Sequence, residues 1–273
     1  MEDHFAIREF TDQDFDNFST LVSGTDGWNV VYNKGTVKVE TKWTEESRIK
    51  LLRVADTLED VTVDCLYDVL HDPEYRRVWD KDMTDSYDVC KLNDNTIVGW
   101  YGAKMPKPLK YRDWCTLRTF RKSQDDFMIF NHSCEHKKVP VLKNYIRSVS
   151  YVTGYYGKRV SPTSCRAVFI TQTDPKGKLP SWFVNYLSCK LSPRVIKKLG
   201  KTAQGYEKWK QKNNPGSKPW LDTSTNDLPV LDRNDLVNDG GMENNNKNSE
   251  EEIDESGAME DDGVVDNDHQ MHG

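Results

Sequence analysis

The fold is decided near the end of the chain by residues 180–212, whose sequence is PSWFVNYLSCKLSPRVIKKLGKTAQGYEKWKQK. Pro180 suits the first turn of a helix, because a helix start leaves its N–H groups unbonded and proline has none. Apolar residues recur at every fourth position of this stretch, and they predict the face that packs on the rest of the protein: Phe183, Leu187, Leu191, Val195 and Leu199. The sequence therefore predicts one long terminal helix.

The chain ahead of this helix reads mostly as strands. About nine segments are rich in aromatic and β-branched residues and are joined by short turns, such as Asn33-Lys34-Gly35 between residues 28–32 and 36–41. Two short helical patterns lie at residues 12–22 and 63–70. This order predicts an α+β fold in which one curved antiparallel sheet wraps around the terminal helix. Such a sheet has more interior than side chains readily fill, so we expect a ligand cavity.

Charge divides the 273-residue chain into two parts. From Asp222 onward there are sixteen acidic residues against Arg233 and Lys247, a net charge of −14, so that the first 221 residues carry about +8. The terminal segment has no aromatic residues and cannot bury enough apolar surface to offset its ordering entropy. We therefore expect a domain over residues 1–221 and a disordered acidic tail over residues 222–273.

Targeting and cysteine patterns predict a cytoplasmic protein. No stretch approaches the roughly 18 to 20 apolar residues of a membrane span, and Met1-Glu2-Asp3-His4 does not open a signal peptide. The six cysteines form no CxxC pair, which favours reduced thiols over disulfides or a zinc site. They are Cys65, Cys90, Cys115, Cys134, Cys165 and Cys189.

The patterns of common enzymes, metal sites and nucleic-acid interfaces are not found in the sequence. GxSxG, HExxH, GxxxxGK[ST] and GxGxxG are missing, so we expect no enzyme and no cofactor. His132, Cys134 and His136 alternate along a predicted strand and could hold zinc, but Met128 and Phe130 continue the same row, which favours an ordinary sheet face. The aromatic residues stand at strand alternation, the spacing of a core, and this argues against nucleic-acid binding.

Three further motifs are more specific. They read YRRVWD at 75–80, MPKPLKYRD at 105–113 and DPKGKLPSW at 174–182. Alone, Arg76 and Asp80 would be an ion pair one turn apart on a helix surface. Together, over roughly residues 12–212, the motifs resemble those of the START domain, the StAR-related lipid transfer family, and most of all its phosphatidylcholine-transfer subgroup. The resemblance implies a helix-grip fold whose sheet and terminal helix enclose a tunnel for one phospholipid.

The resemblance also implies the residues that bind the head group. Arg76 takes the position that pairs with the lipid phosphate, and Asp80 the position that orients Arg76. An aromatic cage for choline falls on Tyr101, Trp114 and Tyr151. Ring faces suit this group because a quaternary ammonium has no hydrogen to donate and is held by cation–π attraction. Leu70 stands where the subgroup has a Tyr near the phosphate. This departure would loosen the head-group selectivity towards phosphatidylethanolamine.

Lipid exchange requires an opening, and the terminal helix with the loop at 105–110 is the expected lid. The basic helix should favour anionic bilayers, although a merely solvated helix face would carry the same charges. The expected membrane-facing residues are Pro106, Lys107, Pro108, Lys190, Arg194, Lys197, Lys198 and Lys201.

The predicted function is phospholipid transfer between membranes without covalent chemistry, with transient membrane contact. The alternative is a lipid sensor or adaptor that transports nothing and signals through its tail. Within the tail, Ser249 precedes three glutamates and is a candidate site for a casein-kinase-two-like kinase.

Overall fold

A computed structural model describes residues 5–237, apart from the side chains of Phe183, Leu187 and Thr225. Its helices are α1 (Asp12–Ser23), α2 (Val63–His71), α3 (Pro73–Trp79) and α4 (Ser181–Lys210). Its strands are β1 (Asn29–Lys34), β2 (Val37–Lys42), β3 (Leu51–Leu58), β4 (Met83–Asn93), β5 (Thr96–Ala103), β6 (Tyr111–Lys122), β7 (Asp126–Ser133), β8 (Tyr145–Arg147), β9 (Val149–Arg159) and β10 (Cys165–Asp174).

The strands form one sheet in the order β1-β2-β3-β10-β9-β7-β6-β5-β4, with β8 beside β6. All of these pairs are antiparallel except β8 with β6. The predicted α+β fold with a large antiparallel sheet and a terminal helix is confirmed. Residues 145–156, whose aromatic and β-branched pattern makes them one of the nine predicted strands, form two strands instead. The Ser148 N–H donates to the carbonyl of Asp113 and the Ser148 hydroxyl to the carbonyl of Pro175, which interrupts the strand.

The core between sheet and helices is built from alternate residues of the central strands. Leu52 and Val54 of β3 and Ala167 of β10 pack in the same cluster as Ile196 and Leu199 of α4. α1 covers the opposite face, where Phe15 and Phe18 pack against Phe130 and Ile170. The sheet therefore has two faces with different partners, and the α4 face is the one that can enclose a ligand.

The predicted apolar row of α4 does not coincide with its buried face. Leu199 is buried, but Leu191 and Val195 keep 45% and 44% of their surface exposed. Four residues advance a helix by more than one turn of 3.6, so an i+4 row rotates by roughly 40° per step and leaves the core side within three steps. The described residues that α4 buries follow the true period: Ser192, Ile196, Leu199, Ala203, Tyr206 and Lys210. No helix in the described range is long and apolar enough to cross a membrane.

The chain beyond α4 packs back on the domain past the predicted boundary at residue 221. Asp68 accepts hydrogen bonds from Lys218 and from the indole of Trp220. Farther on, Val230 forms a parallel bridge with Lys91 of β4, and Leu236 an antiparallel bridge with His136. The prediction of a disordered tail is therefore wrong for residues 222–237, because their backbone groups and leucines find partners on the sheet. The rest of that tail, with Ser249, lies outside the described residues.

Candidate ligand-binding site

Helix α3 positions a charged pair at its end. Asp72 starts the helix by accepting hydrogen bonds from the N–H groups of Glu74 and Tyr75, and Pro73 occupies the first turn. One turn apart, Arg76 and Asp80 meet with the guanidinium 3.0 Å from Asp80 Oδ2. The hydroxyl of Tyr101, on β5, donates to the same oxygen at 3.1 Å. The pair is thereby joined to the α4 face of the sheet.

The surroundings of Arg76 differ from those of a surface ion pair. Its side chain keeps 29% of its surface accessible, yet the guanidinium lies deep among protein atoms. A side chain with both properties lies in a recess of the domain and not on its open surface. Burial acts to lower the pKa of Arg76, but Tyr155, Tyr101 and Asp80 outweigh it and raise the pKa above its ordinary value. The site therefore holds a permanent cation.

Aromatic rings surround this cation. The guanidinium carbon lies 5.1 Å from the centre of the Trp79 ring and 5.3 Å from that of Tyr101. Tyr101 stands directly opposite Trp114 on β6, and their ring centres are 5.8 Å apart at an interplanar angle of 46°. Two of the three aromatic residues of the predicted cage are therefore in contact beside Arg76.

The third predicted residue, Tyr151, is placed elsewhere on β9. It lies at an irregularity of the β9–β10 register, between the pairs of Ser150 with Thr173 and Val152 with Gln172, and its ring contacts Phe5 at 5.8 Å. Tyr155, four residues farther on, packs against the same core cluster as Trp79, and burial raises the pKa of Tyr155. Strand alternation alone could have indicated Tyr155, but the register shift that separates the two tyrosines leaves no sign in the sequence.

Two buried nitrogen atoms near this site have no hydrogen-bond partner in the described part of the chain. They are Nε1 of Trp79, at the end of α3, and Nε2 of His71, at the end of α2. His71 Nδ1 contacts the Tyr67 carbonyl at 3.0 Å, and burial lowers the pKa of His71 to about 3, so that the ring is neutral. Buried polar atoms are normally satisfied, which makes the Trp79 indole a candidate donor to a ligand. Sequence reasoning did not find it. Leu70, next to His71, is buried in the core.

A cleft of about 960 Å³ opens between the loop after β2 and the first half of α4. Its walls include Trp43, Lys50, Trp182, Tyr186 and Cys189. A second cleft of about 520 Å³ adjoins it along α4. Neither is lined by Arg76 or its neighbours, so the charged pair and the clefts are separate features.

The predicted membrane-facing residues are all exposed, in two groups. Pro106, Lys107 and Pro108 lie in the loop between β5 and β6, and the other five lie on the face of α4 turned away from its buried side. Lys190, Arg194 and Lys197 line the second cleft with Val31 and Tyr186. By contrast Lys210, in the same basic helix, is buried.

The cysteines are free, and no group of three or more metal-binding side chains is found among the described residues. β7 ends at Ser133, so Cys134 and His136 do not continue a strand row with His132. Cys134 packs 3.7 Å from Cys115, and His136 Nε2 lies 3.6 Å from the Cys90 sulfur. The zinc row considered from the sequence is therefore not formed.

The fold and the motifs that build this site match a known family. Residues 16–209 match the START domain. The chain belongs to the START domain family. This confirms the resemblance predicted from the three sequence motifs.

Two curated relatives and one solved structure extend the comparison. START domain-containing protein 10 of Mus musculus is 40% identical over 233 residues, which cover 85% of this chain and 80% of the relative. Phosphatidylcholine transfer protein of Mus musculus is 23% identical over 208 residues, covering 75% and 96% of the two chains. The crystal structure of human STARD10 superposes with a TM-score of 0.79 at 39% identity, covering 82% of this chain and 92% of that one.

Proposed function

We propose that this START domain binds one phospholipid and carries it between membranes. One observation supports this most: Arg76 is a permanent cation deep in the domain, part of its surface is accessible, and Asp80 holds it in place. A fixed guanidinium meets two phosphate oxygens at once, and it offsets the cost of removing the phosphate from water. The relatives named for phosphatidylcholine transfer support the same lipid class.

The contacts around Arg76 assign parts of the lipid. The phosphate would lie at the guanidinium, where the unpartnered Trp79 indole can donate a further hydrogen bond. Choline would lie against the ring faces of Tyr101 and Trp114. Tyr155 replaces Tyr151 in this proposal because it packs against the same core cluster as Trp79, whose ring lies beside Arg76. No step of this function forms or breaks a covalent bond.

A carrier is favoured because the alternative, spontaneous escape of the lipid from a bilayer into water, has a high free-energy cost. Two acyl chains hold on the order of 30 methylene groups, and each costs about 0.8 kcal/mol when exposed to water, so a lipid leaves a bilayer very slowly by itself. A protein interior lined by apolar side chains removes that cost. The six reduced cysteines agree with a cytosolic setting for such a carrier.

Membrane contact is proposed at the two clefts. Trp43, Trp182 and Tyr186 are exposed there, and Lys50, Lys190 and Arg194 are close by on the same walls. Aromatic side chains beside lysines are typical of surfaces that dock on lipid head groups. Because the clefts adjoin the first half of α4, a shift of that helix would open the interior towards the bilayer.

The experiment measures transfer of acyl-labelled phosphatidylcholine between vesicles by Arg76→Ala. We expect a loss of more than tenfold, because the variant leaves the phosphate unpaired in the interior. Arg77→Ala is the matched control, since Arg77 is the next residue and forms an exposed pair with Asp85. Circular dichroism confirms the fold of both. Transfer at the wild-type rate by Arg76→Ala would remove the proposed phosphate site.

A further inference from the structure

Three threonine hydroxyls form a closed cluster on strands β9 and β10. The Oγ1 atom of Thr153 lies 2.9 Å from that of Thr171 and 3.2 Å from that of Thr173, and the last two are 3.1 Å apart. The hydroxyl of Ser150 donates to Thr153 at 2.9 Å. Within the described chain, these are the hydrogen bonds that the three threonine side chains make, so none of them pairs with a charged group.

The cluster lies on the face of the sheet that is turned to α4. Thr171 stands opposite Thr153 on β9 and opposite Leu52 on β3, and Leu52 belongs to the core that contacts α4. Directly opposed residues share a face of the sheet. All three threonines are partly buried, so part of their surface stays accessible on this face.

Register places the cluster near the proposed phosphate site. Tyr155 lies two residues beyond Thr153 on β9, on the same face and roughly 7 Å along the strand. Tyr155 and Trp79 pack against the same core cluster, and the Arg76 guanidinium lies 5.1 Å from the centre of the Trp79 ring. A lipid whose phosphate lies at Arg76 would therefore have further polar groups within reach of the threonines.

The hydrogen count sets the chemistry of the cluster. Three hydroxyls have three hydrogens, and the three contacts among them use all three, while Ser150 supplies a fourth to Thr153. Oxygen lone pairs on Thr171 and Thr173 remain available. The cluster thus accepts hydrogen bonds and has no hydrogen to spare for a carbonyl or phosphate oxygen. A trimethylammonium group has no hydrogen to donate, whereas a primary ammonium or a hydroxyl has.

We propose that Thr153, Thr171 and Thr173 form a head-group subsite that accepts hydrogen bonds from N–H or O–H donors of the bound lipid. This rests on the proposed function and refines it, because the subsite would favour lipids with a primary ammonium or a hydroxyl. The choline group of phosphatidylcholine would instead bind to the ring faces of Tyr101 and Trp114. Two kinds of contact would then allow one site to hold both kinds of head group.

The test uses the full chain and donor vesicles of phosphatidylcholine that carry a trace of acyl-labelled phosphatidylcholine, phosphatidylethanolamine or phosphatidylglycerol. The variant Thr171→Val with Thr173→Val keeps the side-chain shape and removes two acceptors. We expect transfer of the donor-bearing lipids to fall roughly five- to tenfold relative to phosphatidylcholine. A fall for phosphatidylethanolamine alone identifies the ammonium as the donor, and a fall for phosphatidylglycerol as well, or alone, identifies hydroxyl donors.

Two control variants separate hydrogen bonding from packing. Thr57 lies on β3 opposite the exposed Arg166, on the other face of the sheet. Its change to valine should therefore leave the transfer rates of all three lipids unchanged. Thr171→Ser keeps the hydroxyl and should retain transfer of the donor-bearing lipids. Should the double variant fail to fold, Thr173→Val alone makes the same comparison.

The proposal is overturned if all three lipids lose transfer equally, if none does, or if Thr171→Ser behaves like the valine variant. It is also overturned if the wild type carries phosphatidylcholine but neither donor-bearing lipid. Failure of the proposed function itself looks different, because the wild type would then transfer none of the three lipids.

Discussion

The ammonium of Lys210 lies 2.9 Å from the carboxylate of Asp72, and these side chains are only 6% and 1% exposed. The same Asp72 oxygen accepts a hydrogen bond from the Tyr206 hydroxyl at 3.0 Å, while the other oxygen caps α3. The last turns of α4 are thereby fixed to the start of α3, the helix that carries Arg76. The far end of the proposed lid is anchored, and the end at the clefts is left as the part that can move.

The first prediction concerns this anchor. Lys210→Met should lower the free energy of unfolding by about 3 to 5 kcal/mol, because it leaves the buried Asp72 carboxylate without its cation. Lys208→Met is the matched control, since Lys208 is exposed two residues earlier on the same helix. Urea unfolding followed by circular dichroism measures both. Equal stability of the two variants would contradict a role for the pair in anchoring α4.

The second prediction concerns choline. Trp114→Ala should reduce phosphatidylcholine transfer about two- to thirtyfold and phosphatidylethanolamine transfer less, since a cation–π contact is worth roughly 0.5 to 2 kcal/mol and only choline depends on the rings. Trp114→Phe should retain most of the activity. The readout is the ratio of the two rates in a vesicle assay. An unchanged ratio in Trp114→Ala would mean that the ring is only part of the wall.

The third prediction concerns acid. Burial lowers the pKa of His71 to about 3 from 6.5, so the folded protein keeps this ring neutral where the unfolded chain takes up a proton. Stability from His71 is therefore complete above pH 6.5 and is lost as the pH falls towards 3. By pH 5 the loss should reach about 2 kcal/mol.

The comparison is with His71→Gln, which keeps a donor for the Tyr67 carbonyl but does not titrate. Urea unfolding at pH 7 and pH 5 should show a smaller drop for the variant than for the wild type. If both lose the same stability between these pH values, His71 does not contribute to the acid sensitivity.

How far the sequence predicts this molecule depends on which signals are local. The alternation of the strands, the hairpin at Gly35 and the start of α4 are local, and these elements were predicted within a few residues apart from the division of 145–156 into two strands. The buried face of α4 was not, because an i+4 row and the true helical period diverge over four turns. The burial of Lys210 and the exposure of Lys208 were not predicted either, because only the fold places Asp72 beside Lys210.

The candidate site is likewise predictable only where its residues are close together in the sequence. Arg76 and Asp80 are one turn apart, so a motif could indicate their pairing before the structure was known. Tyr151 was predicted and the proposed Tyr155 was not, and a one-residue irregularity between β9 and β10, which has no signal in the sequence, lies between them and the next strand pairs. The threonine cluster combines two strands, and no single stretch of sequence contains it.

The fourth prediction concerns the segment 222–237. A chain ending at residue 221 should be less stable than one ending at residue 237 by roughly 2 to 4 kcal/mol, because it loses the partly buried side chains of Leu228 and Leu231. Thermal unfolding of the two truncated chains isolates this segment, since both lack residues 238–273. Identical melting temperatures would show that the packing of the segment adds no stability.

The last prediction separates the two forces at the proposed membrane surface. Trp182, 66% exposed beside the larger cleft, offers apolar area, whereas Lys190 and Lys197, which line the second cleft farther along α4, offer charge. Trp182→Ala should weaken binding to vesicles at every salt concentration, because burial of apolar surface does not depend on ionic screening. Lys190→Gln with Lys197→Gln should weaken it only on anionic vesicles at low salt, since the Debye length falls to about 8 Å at physiological ionic strength.

Lys208→Gln, at the anchored end of α4, is the control for lost charge. Vesicle co-sedimentation across a salt series gives the answer, and an equal effect of Lys208→Gln and the double variant would show that charge acts through the whole domain and not through the clefts.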